Sequence, residues 1–96
     1  MNILEEAQKL TSEDRQNVYG HPADDFKKVT VMARPILDAD IDPLLKHALY
    51  MIQVKIARLL NTPDHIDSVV DIAGYANTYG MILDKKEQEK KAMPFE

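Results

Sequence analysis

Residues 42–61, DPLLKHALYMIQVKIARLLN, carry the clearest helix signal in the chain. Asp42 is a residue type that caps helix N-termini. Pro43 suits the first helical position, because its fixed φ matches the helix and the missing N–H would have no partner there. Thr62 and Pro63 end the pattern. Apolar residues at helical spacing predict one buried face, formed by Leu45, Ala48, Leu49, Ile52, Ile56, Leu59 and Leu60.

Three further helices are predicted on either side of this one. A first helix spans residues 2–10, and the polar residues 11–21 that follow it predict a structured loop. A second helix begins at Pro22 and is kinked or ended near Arg34 by Pro35, which lacks a backbone donor. The last helix follows the Pro-containing turn, with Asp64 as its expected cap.

The apolar positions of these helices define the rest of the predicted core. In the first they are Ile3, Leu4, Ala7 and Leu10. In the second they are Phe26, Val29, Met32, Ala33, Ile36 and Leu37, and in the last they are Val69, Ile72, Ala73, Ala76, Tyr79, Ile82 and Leu83. Residues 84–96 alternate in charge and predict a solvated helical tail. Since β-branched runs of period two are missing, we expect one all-α domain over residues 1–96.

Composition limits the classes of function. The 96 residues include 12 Lys plus Arg and 16 Asp plus Glu, and a net charge of −4 argues against nucleic acid as a partner. Cys is absent, which excludes disulfides and thiolate zinc sites here. No apolar run reaches membrane-spanning length and no signal peptide is recognisable, so we expect a cytoplasmic protein without a membrane partner. A core this small favours a homo-oligomer.

Two charged strips border the predicted core. Lys55 and Arg58 are three residues apart, and Asp67 and Asp71 are four apart, so each pair shares one side of its helix. A short turn makes consecutive helices antiparallel neighbours, which lets the cations meet the carboxylates. Two interpretations stay open. The strips form either a structural ion-pair lattice or a polar pocket for a charged small molecule, with Tyr75 as a flat surface beside it.

The segment RQNVYGHP, residues 15–22, is the second unusual feature. Gly20 can adopt a positive φ just before the second helix, with Arg15 and His21 close to that helix N-terminus. Cationic side chains beside a helix N-terminus are typical of an anion site. The alternative is an ordinary connecting loop with Tyr19 packed into the core.

Three blocks, RQNVYGHP at 15–22, KIARL at 55–59 and HIDSVVDIAGYA at 65–76, resemble a family of small proteins common in phages and prophages. The resemblance covers about residues 3–83. That family is distantly similar to the MazG-like and dimeric dUTPase superfamily of all-α nucleoside triphosphate pyrophosphohydrolases. The resemblance implies a MazG-like four-helix bundle that is completed by assembly into dimers or tetramers.

The resemblance also frames the expected chemistry. MazG-like enzymes hold Mg²⁺ with Glu-x-x-Glu on one helix and Glu-x-x-Asp on the next. Here Lys55 and Arg58 stand in place of the first pair, and Ser68 and Asp71 in place of the second, with Asp67 one residue earlier. Mg²⁺ requires several oxygen ligands, whereas a Lys–Arg pair attracts phosphate directly. We therefore expect nucleotide binding without a cofactor, and this departure argues against metal-dependent hydrolysis.

In the first of three hypotheses, the protein binds a nucleotide. Its cations contact the phosphates, a tyrosine stacks on the base, and carboxylates accept hydrogen bonds from the ribose or from base amines. The candidate ligand-binding residues are Lys55, Arg58, Asp67, Asp71, Tyr75, Arg15, Tyr19 and His21. A phage protein of this kind would sequester a signalling nucleotide of host immunity in the host cytoplasm.

In the second hypothesis, the protein is a Mg²⁺-dependent nucleoside triphosphate pyrophosphohydrolase. Asp67 and Asp71 hold the metal, and the cationic strip stabilises the leaving pyrophosphate. The missing carboxylates then come from Glu5, Glu6, Asp24 or Asp25 on the first two helices. In the third hypothesis, the chain is a structural or protein-interaction module, and its charged strips form ion pairs only.

Overall fold

A computed structural model describes residues 2–92, and no strand occurs among them. The helices are α1 (Ile3–Lys9), α2 (Arg15–Tyr19), α3 (Pro22–Asp38), α4 (Pro43–Asn61) and α5 (Ile66–Ala92). A π-helical turn, Leu10–Asp14, joins α1 to α2. The predicted all-α class is confirmed. The charged tail is helical as far as Ala92, and the part of it beyond Ala92 lies outside the described residues.

Three of these helices begin directly after a residue whose side chain caps the helix by accepting a hydrogen bond from a backbone N–H two or three residues later. Asn2 accepts a hydrogen bond from the Glu5 N–H at 2.8 Å and caps α1. Asp42 accepts one from the Leu44 N–H at 2.7 Å and caps α4. At α3 the capping acceptor is the His21 ring nitrogen Nδ1, 3.1 Å from the Ala23 nitrogen. The predicted bounds of α4 are therefore confirmed, because its start and stop signals are local.

Residues 11–19 are helical, so the prediction of a loop there is wrong. The Thr11 hydroxyl donates to the Ala7 carbonyl at 2.8 Å, and the Gln16 side chain donates to the Thr11 carbonyl at 3.2 Å. These bonds satisfy main-chain acceptors around the wide π turn, so a polar composition is compatible with continued helix. The run ends at Gly20, whose φ of 80° is the left-handed conformation that often ends helices.

Two other predicted boundaries are corrected. Helix α3 continues through Pro35 to Asp38, because a proline on the exposed side of the last turns removes only one backbone hydrogen bond. Helix α5 begins at Ile66 rather than directly after Asp64. Asp64 belongs to a turn, closed by the His65 N–H donating to the Thr62 carbonyl at 3.0 Å.

Helix α4 lies between α3 and α5 and contacts both, whereas α3 and α5 do not contact each other. Helix α2 packs against α3 and α4, and α1 contacts none of the three long helices. The described chain is therefore an elongated, open array of 57 × 32 × 24 Å. The closed MazG-like bundle expected from the resemblance remains a prediction.

The open array leaves much of the predicted core exposed. Among apolar residues only Ala33, Ala48 and Ala57 are fully buried in the described part of the chain. Predicted core residues that are instead exposed are Ile3, Leu4, Ala7, Leu10, Phe26, Leu37, Ile56, Leu60, Val69, Ala73, Ala76 and Leu83. The prediction is wrong on α3 and α5 because each of them has one long neighbour, so part of its apolar stripe faces solvent. It is wrong on the first helix because α1 contacts no long helix. Ile56 and Leu60 are exposed although α4 packs against two long helices.

Asp42 provides a test of how the array is held together. Its Oδ1 caps α4, and its Oδ2 pairs with Lys86 of α5. We expect Asp42→Ala to lower the free energy of unfolding by about 1–2 kcal/mol, because it removes both interactions. Asp42→Asn keeps the cap and loses only a partly exposed ion pair, so we expect a loss below about 0.5 kcal/mol. Urea unfolding followed by circular dichroism measures both values, and equal losses would contradict the capping role.

Candidate functional site

A cavity of about 180 Å³ lies where α2, α3 and α4 meet. We call it the Arg58 cavity, and it is lined by Thr11, Arg15, Tyr19, Gly20, Pro22, Asp25, Phe26 and Arg58. A neighbouring depression of about 380 Å³ has Asp25, Phe26 and Arg58 as shared walls and adds Val29, Thr30, Tyr50 and Val54. The two spaces together are in the size range of a small-molecule site.

Arg58 is the central cation of this site. Its guanidinium carbon lies 4.2 Å from the centroid of the Tyr19 ring, which is a cation–π contact. Its Nε is buried and has no hydrogen-bond partner in the described structure. No described carboxylate forms a salt bridge with Arg58. The guanidinium is thus held in place by an aromatic face while its charge stays available to a ligand.

Asp25 is the second unusual group, because it is only 8% exposed and its Oδ1 has no hydrogen-bond partner among the described residues. A buried carboxylate without donors is costly, since it has given up its hydration shell. It lines both spaces together with Arg58. From the sequence, Asp25 is predicted only as one of several reserve metal ligands. Its position in the first turn of a helix, where acidic residues are common, gave no signal of burial.

The segment that carries Tyr19 is tied to the end of α4. The Val18 carbonyl accepts hydrogen bonds from the Asn61 side chain at 2.7 Å and from the Thr62 hydroxyl. A Cβ added at Gly20 would lie 3.1 Å from the Asn61 amide oxygen, so a side chain there is disfavoured both by contact and by φ. These contacts place the Tyr19 ring in a fixed position over Arg58.

Tyr19 also contacts the start of the last helix. Its ring lies 5.8 Å from that of His65, at an interplanar angle of 86°. His65 Nδ1 and the buried Ser68 hydroxyl are 2.7 Å apart. The half-buried Tyr19 therefore links α2 to α4 and to the residue that precedes α5.

Lys55 has a different environment from Arg58. Its Nζ lies 2.9 Å from Asp71 Oδ2, between α4 and α5, and the Lys55 side chain is 14% exposed while that of Asp71 is 46% exposed. One ion pair of the expected lattice is thus present. The two cations of the Lys-x-x-Arg block therefore have different environments. Lys55 has a carboxylate partner on α5, whereas Arg58 faces α2 and α3.

The remaining predicted site residues do not line the Arg58 cavity. Asp71 and Tyr75 border a separate, shallow depression of about 340 Å³ on α5. Asp67 is exposed in the first turn of α5, and His21 is exposed at the cap of α3. Of the predicted ligand-binding residues, the structure brings Arg15, Tyr19 and Arg58 together around one cavity.

Residues 2–92 lack two further features that bear on the site. No group of three or more His, Asp or Glu side chains among them is close enough to hold a metal ion. No helix among them combines the length and the apolar character needed to cross a membrane.

Over residues 2–83 the chain matches the family described as "Domain of unknown function (DUF6378)", and it belongs to that family. The Gene 55 protein of Mycobacterium phage D29 is 39% identical to it over 84 residues. That alignment covers 88% of this chain and 55% of the phage protein, so the chain spans about half the length of this curated relative. No solved structure matches the chain. This relative is a phage protein, in agreement with the resemblance, while a link to MazG-like enzymes stays a prediction.

Gly20 offers a test of the fixed segment. We expect Gly20→Ala to lower the free energy of unfolding by about 1–2 kcal/mol, because the left-handed φ is strained for alanine and the methyl group crowds Asn61. Gly74→Ala is the matched control. A Cβ there meets nothing within 4 Å, and alanine favours helix over glycine by about 1 kcal/mol, so we expect stabilisation. Chemical unfolding measures both, and changes of the same sign would contradict this account.

Proposed function

We propose that this protein binds a nucleotide, with the phosphates held by Arg58 and Arg15 in the Arg58 cavity. The observation that carries the proposal is the environment of Arg58, whose guanidinium rests on Tyr19 and whose buried Nε has no partner in the described chain. A phosphate oxygen satisfies such a donor with a charge-assisted hydrogen bond. A guanidinium held in one orientation loses little conformational entropy on binding.

Two further features support an anion at this position. Arg15 reaches the rim of the same cavity from α2 and adds a second positive charge. Pro22, the first residue of α3, lines the wall, so the positive end of a 17-residue helix lies beside the cavity. Both features strengthen the local positive potential in a chain whose net charge is negative.

The rest of the nucleotide would occupy the neighbouring depression. Phe26 and Tyr50 line it and supply aromatic surface for a base. Asp25, which has an unpartnered oxygen, accepts a hydrogen bond from a base amine or a ribose hydroxyl. The proposal therefore assigns ligand contacts to Arg15, Tyr19, Asp25 and Arg58. Lys55 and Asp71 instead join α4 to α5.

We also propose that the binding unit is a MazG-like homo-oligomer, a dimer or a tetramer. The exposed apolar side chains of the open array favour burial against other copies. Binding without turnover would let a phage protein sequester a signalling nucleotide in the host cytoplasm. This extension draws on the phage relative and on the replacement of the carboxylate pair by Lys55 and Arg58.

Calorimetry with a panel of linear and cyclic nucleotides, with and without Mg²⁺, tests the binding site. We expect Arg58→Ala to weaken binding by about 2 kcal/mol, or roughly thirtyfold in Kd, because a charge-assisted contact is lost. The control is Arg34→Ala, which removes an exposed arginine 3.3 Å from Asp38 on α3 and should leave Kd unchanged. Absence of binding by the unmodified protein, or equal Kd for the two variants, would contradict the proposal.

Analysis of the nucleotides after the same incubation separates binding from hydrolysis. Intact ligand recovered after denaturation supports sequestration. Release of pyrophosphate that is lost in Asp71→Asn would support the pyrophosphohydrolase instead.

Lys55 gives an independent prediction. Lys55→Met removes the ion pair with Asp71, and we expect it to lower the free energy of unfolding by up to about 1 kcal/mol, since the Asp71 carboxylate is partly exposed and water can hydrate it once the lysine is gone. Nucleotide affinity should stay within about twofold of the unmodified protein, because Lys55 does not line the Arg58 cavity. Parallel urea unfolding and calorimetry measure both quantities. If Lys55→Met lost much nucleotide affinity while its free energy of unfolding stayed unchanged, the result would contradict this site and indicate that Lys55 contacts the phosphates.

A further inference from the structure

Helix α1 presents an apolar stripe that residues 2–92, the part of the chain that the structure describes, leave uncovered. Ile3 is 85% exposed and Leu4 is 80% exposed, and Ala7 and Leu10 continue the stripe along the same side. The helix contacts none of α3, α4 or α5. A seven-residue helix has little stability by itself in water, so its stripe calls for a packing partner.

A groove that suits this stripe lies between α3 and α4, on the other side of Tyr19 and Gly20 from most of the Arg58 cavity. We call it the α3–α4 groove. It has a volume of about 570 Å³ and is lined by Tyr19, Gly20, Asp24, Lys27, Lys28, Val31, Met32, Leu60 and Asn61. Val31 is 66% exposed and Leu60 is 62% exposed, which is unusual for large apolar side chains that line a concave surface. Lys27 and Lys28 have no salt-bridge partner among the described residues.

The dimensions of the stripe and the groove agree. The groove follows α3 from Asp24 to Met32, about 12 Å at a rise of 1.5 Å per residue. The stripe runs from Ile3 to Leu10, about 10 Å by the same measure. We call residues 3–10 the arm. An arm of this length fills the groove without extending far beyond it.

The charges also agree. On a helical projection Glu6 lies about 90° from the centre of the apolar stripe, and Glu5 lies about 170° from it. With the stripe facing the groove, Glu6 is at the edge of the contact, where Lys27 and Lys28 can reach it. Glu5 then points to solvent. The arm thus brings a carboxylate to two lysines that have none.

The arm does not reach the groove of its own chain. Leu10 and Tyr19 are separated by nine residues of continuous helix, about 13 Å, and Tyr19 is already at the wall of the groove. Folding back would require the helical run to break at the π turn. We propose that α1 of one copy binds in the α3–α4 groove of a second copy of this chain. In a twofold dimer the exchange is reciprocal and buries both stripes.

The exchange goes beyond nucleotide binding and does not depend on it. It has a consequence for the site, however, because Tyr19 and Gly20 line both the α3–α4 groove and the Arg58 cavity. An arm from the second copy would pack against the segment that positions the Arg58 guanidinium.

Site-directed disulfide formation tests the exchange, since the chain has no native Cys. Leu4→Cys and Leu60→Cys proteins, carrying tags of different size, are mixed and oxidised under mild conditions. We expect a disulfide-linked heterodimer, because only an intermolecular contact can join two single-cysteine chains. The control mixture pairs Leu4→Cys with Val69→Cys, an exposed position on α5 outside the groove. No product from the first mixture, or equal yields from both, would overturn the proposal.

Charge reversal gives a second test in sedimentation experiments. We expect Glu6→Lys to raise the dimer dissociation constant about tenfold, because each of two contacts changes from attraction to repulsion. Combining it with Lys28→Glu should restore association. Glu5→Lys makes the same charge change on the solvent side of the arm and should leave the dissociation constant unchanged. A monomer at all concentrations, or equal effects of the two reversals with helix content intact, would show that the arm does not bind there.

Discussion

The packing of α4 between α3 and α5 is the constraint on which the rest of the structure depends. A helix with neighbours on two opposite sides must present different side chains to each, and a spacing of three residues rotates a side chain by about 60° around the axis. Lys55 therefore meets Asp71 on α5, whereas Arg58 meets Tyr19 on α2. Two cations three residues apart thus have different environments. Lys55 joins α4 to α5, and Arg58 lines a cavity.

The same arrangement explains why so much apolar surface stays exposed. Because α3 and α5 do not contact each other, the chain closes no core of its own, and alanines are its only fully buried apolar residues in the described part. Burial of apolar side chains is the main favourable term in folding and in association. Leu4, Val31 and Leu60 are exposed, so the free energy of burying these side chains can still be gained when the chain associates with a partner. The α3–α4 groove and the Arg58 cavity share Tyr19 and Gly20, so the proposed assembly and the proposed binding site involve the same segment.

The candidate site combines groups that are costly to bury with groups that hold them in place. Asp25 and Arg58 each have a buried polar atom without a partner in the described structure. Around them, the hydrogen bonds to the Val18 carbonyl and the tight approach of Gly20 to Asn61 restrict the segment that carries Tyr19. Buried polar atoms without a protein partner are uncommon in folded proteins, and a bound molecule is one way to satisfy them. The frame comes from three helices, and no one helix contains it.

The sequence by itself determined the all-α class and the limits of α4, and it singled out Arg15, Tyr19 and Arg58, which the structure brings together around one cavity. Caps such as Asp42 act on N–H groups two or three residues away, so their effect is visible in a short window. Only the tertiary structure decided that Lys55 has a carboxylate partner while Arg58 has none among the described residues, that Asp25 is buried, and that 12 of the 24 predicted core residues are exposed. Partner choice and burial depend on groups brought together from distant positions, as when Val18 meets Asn61 and Thr62. Local patterns do not contain that information, because it arises only when the helices pack.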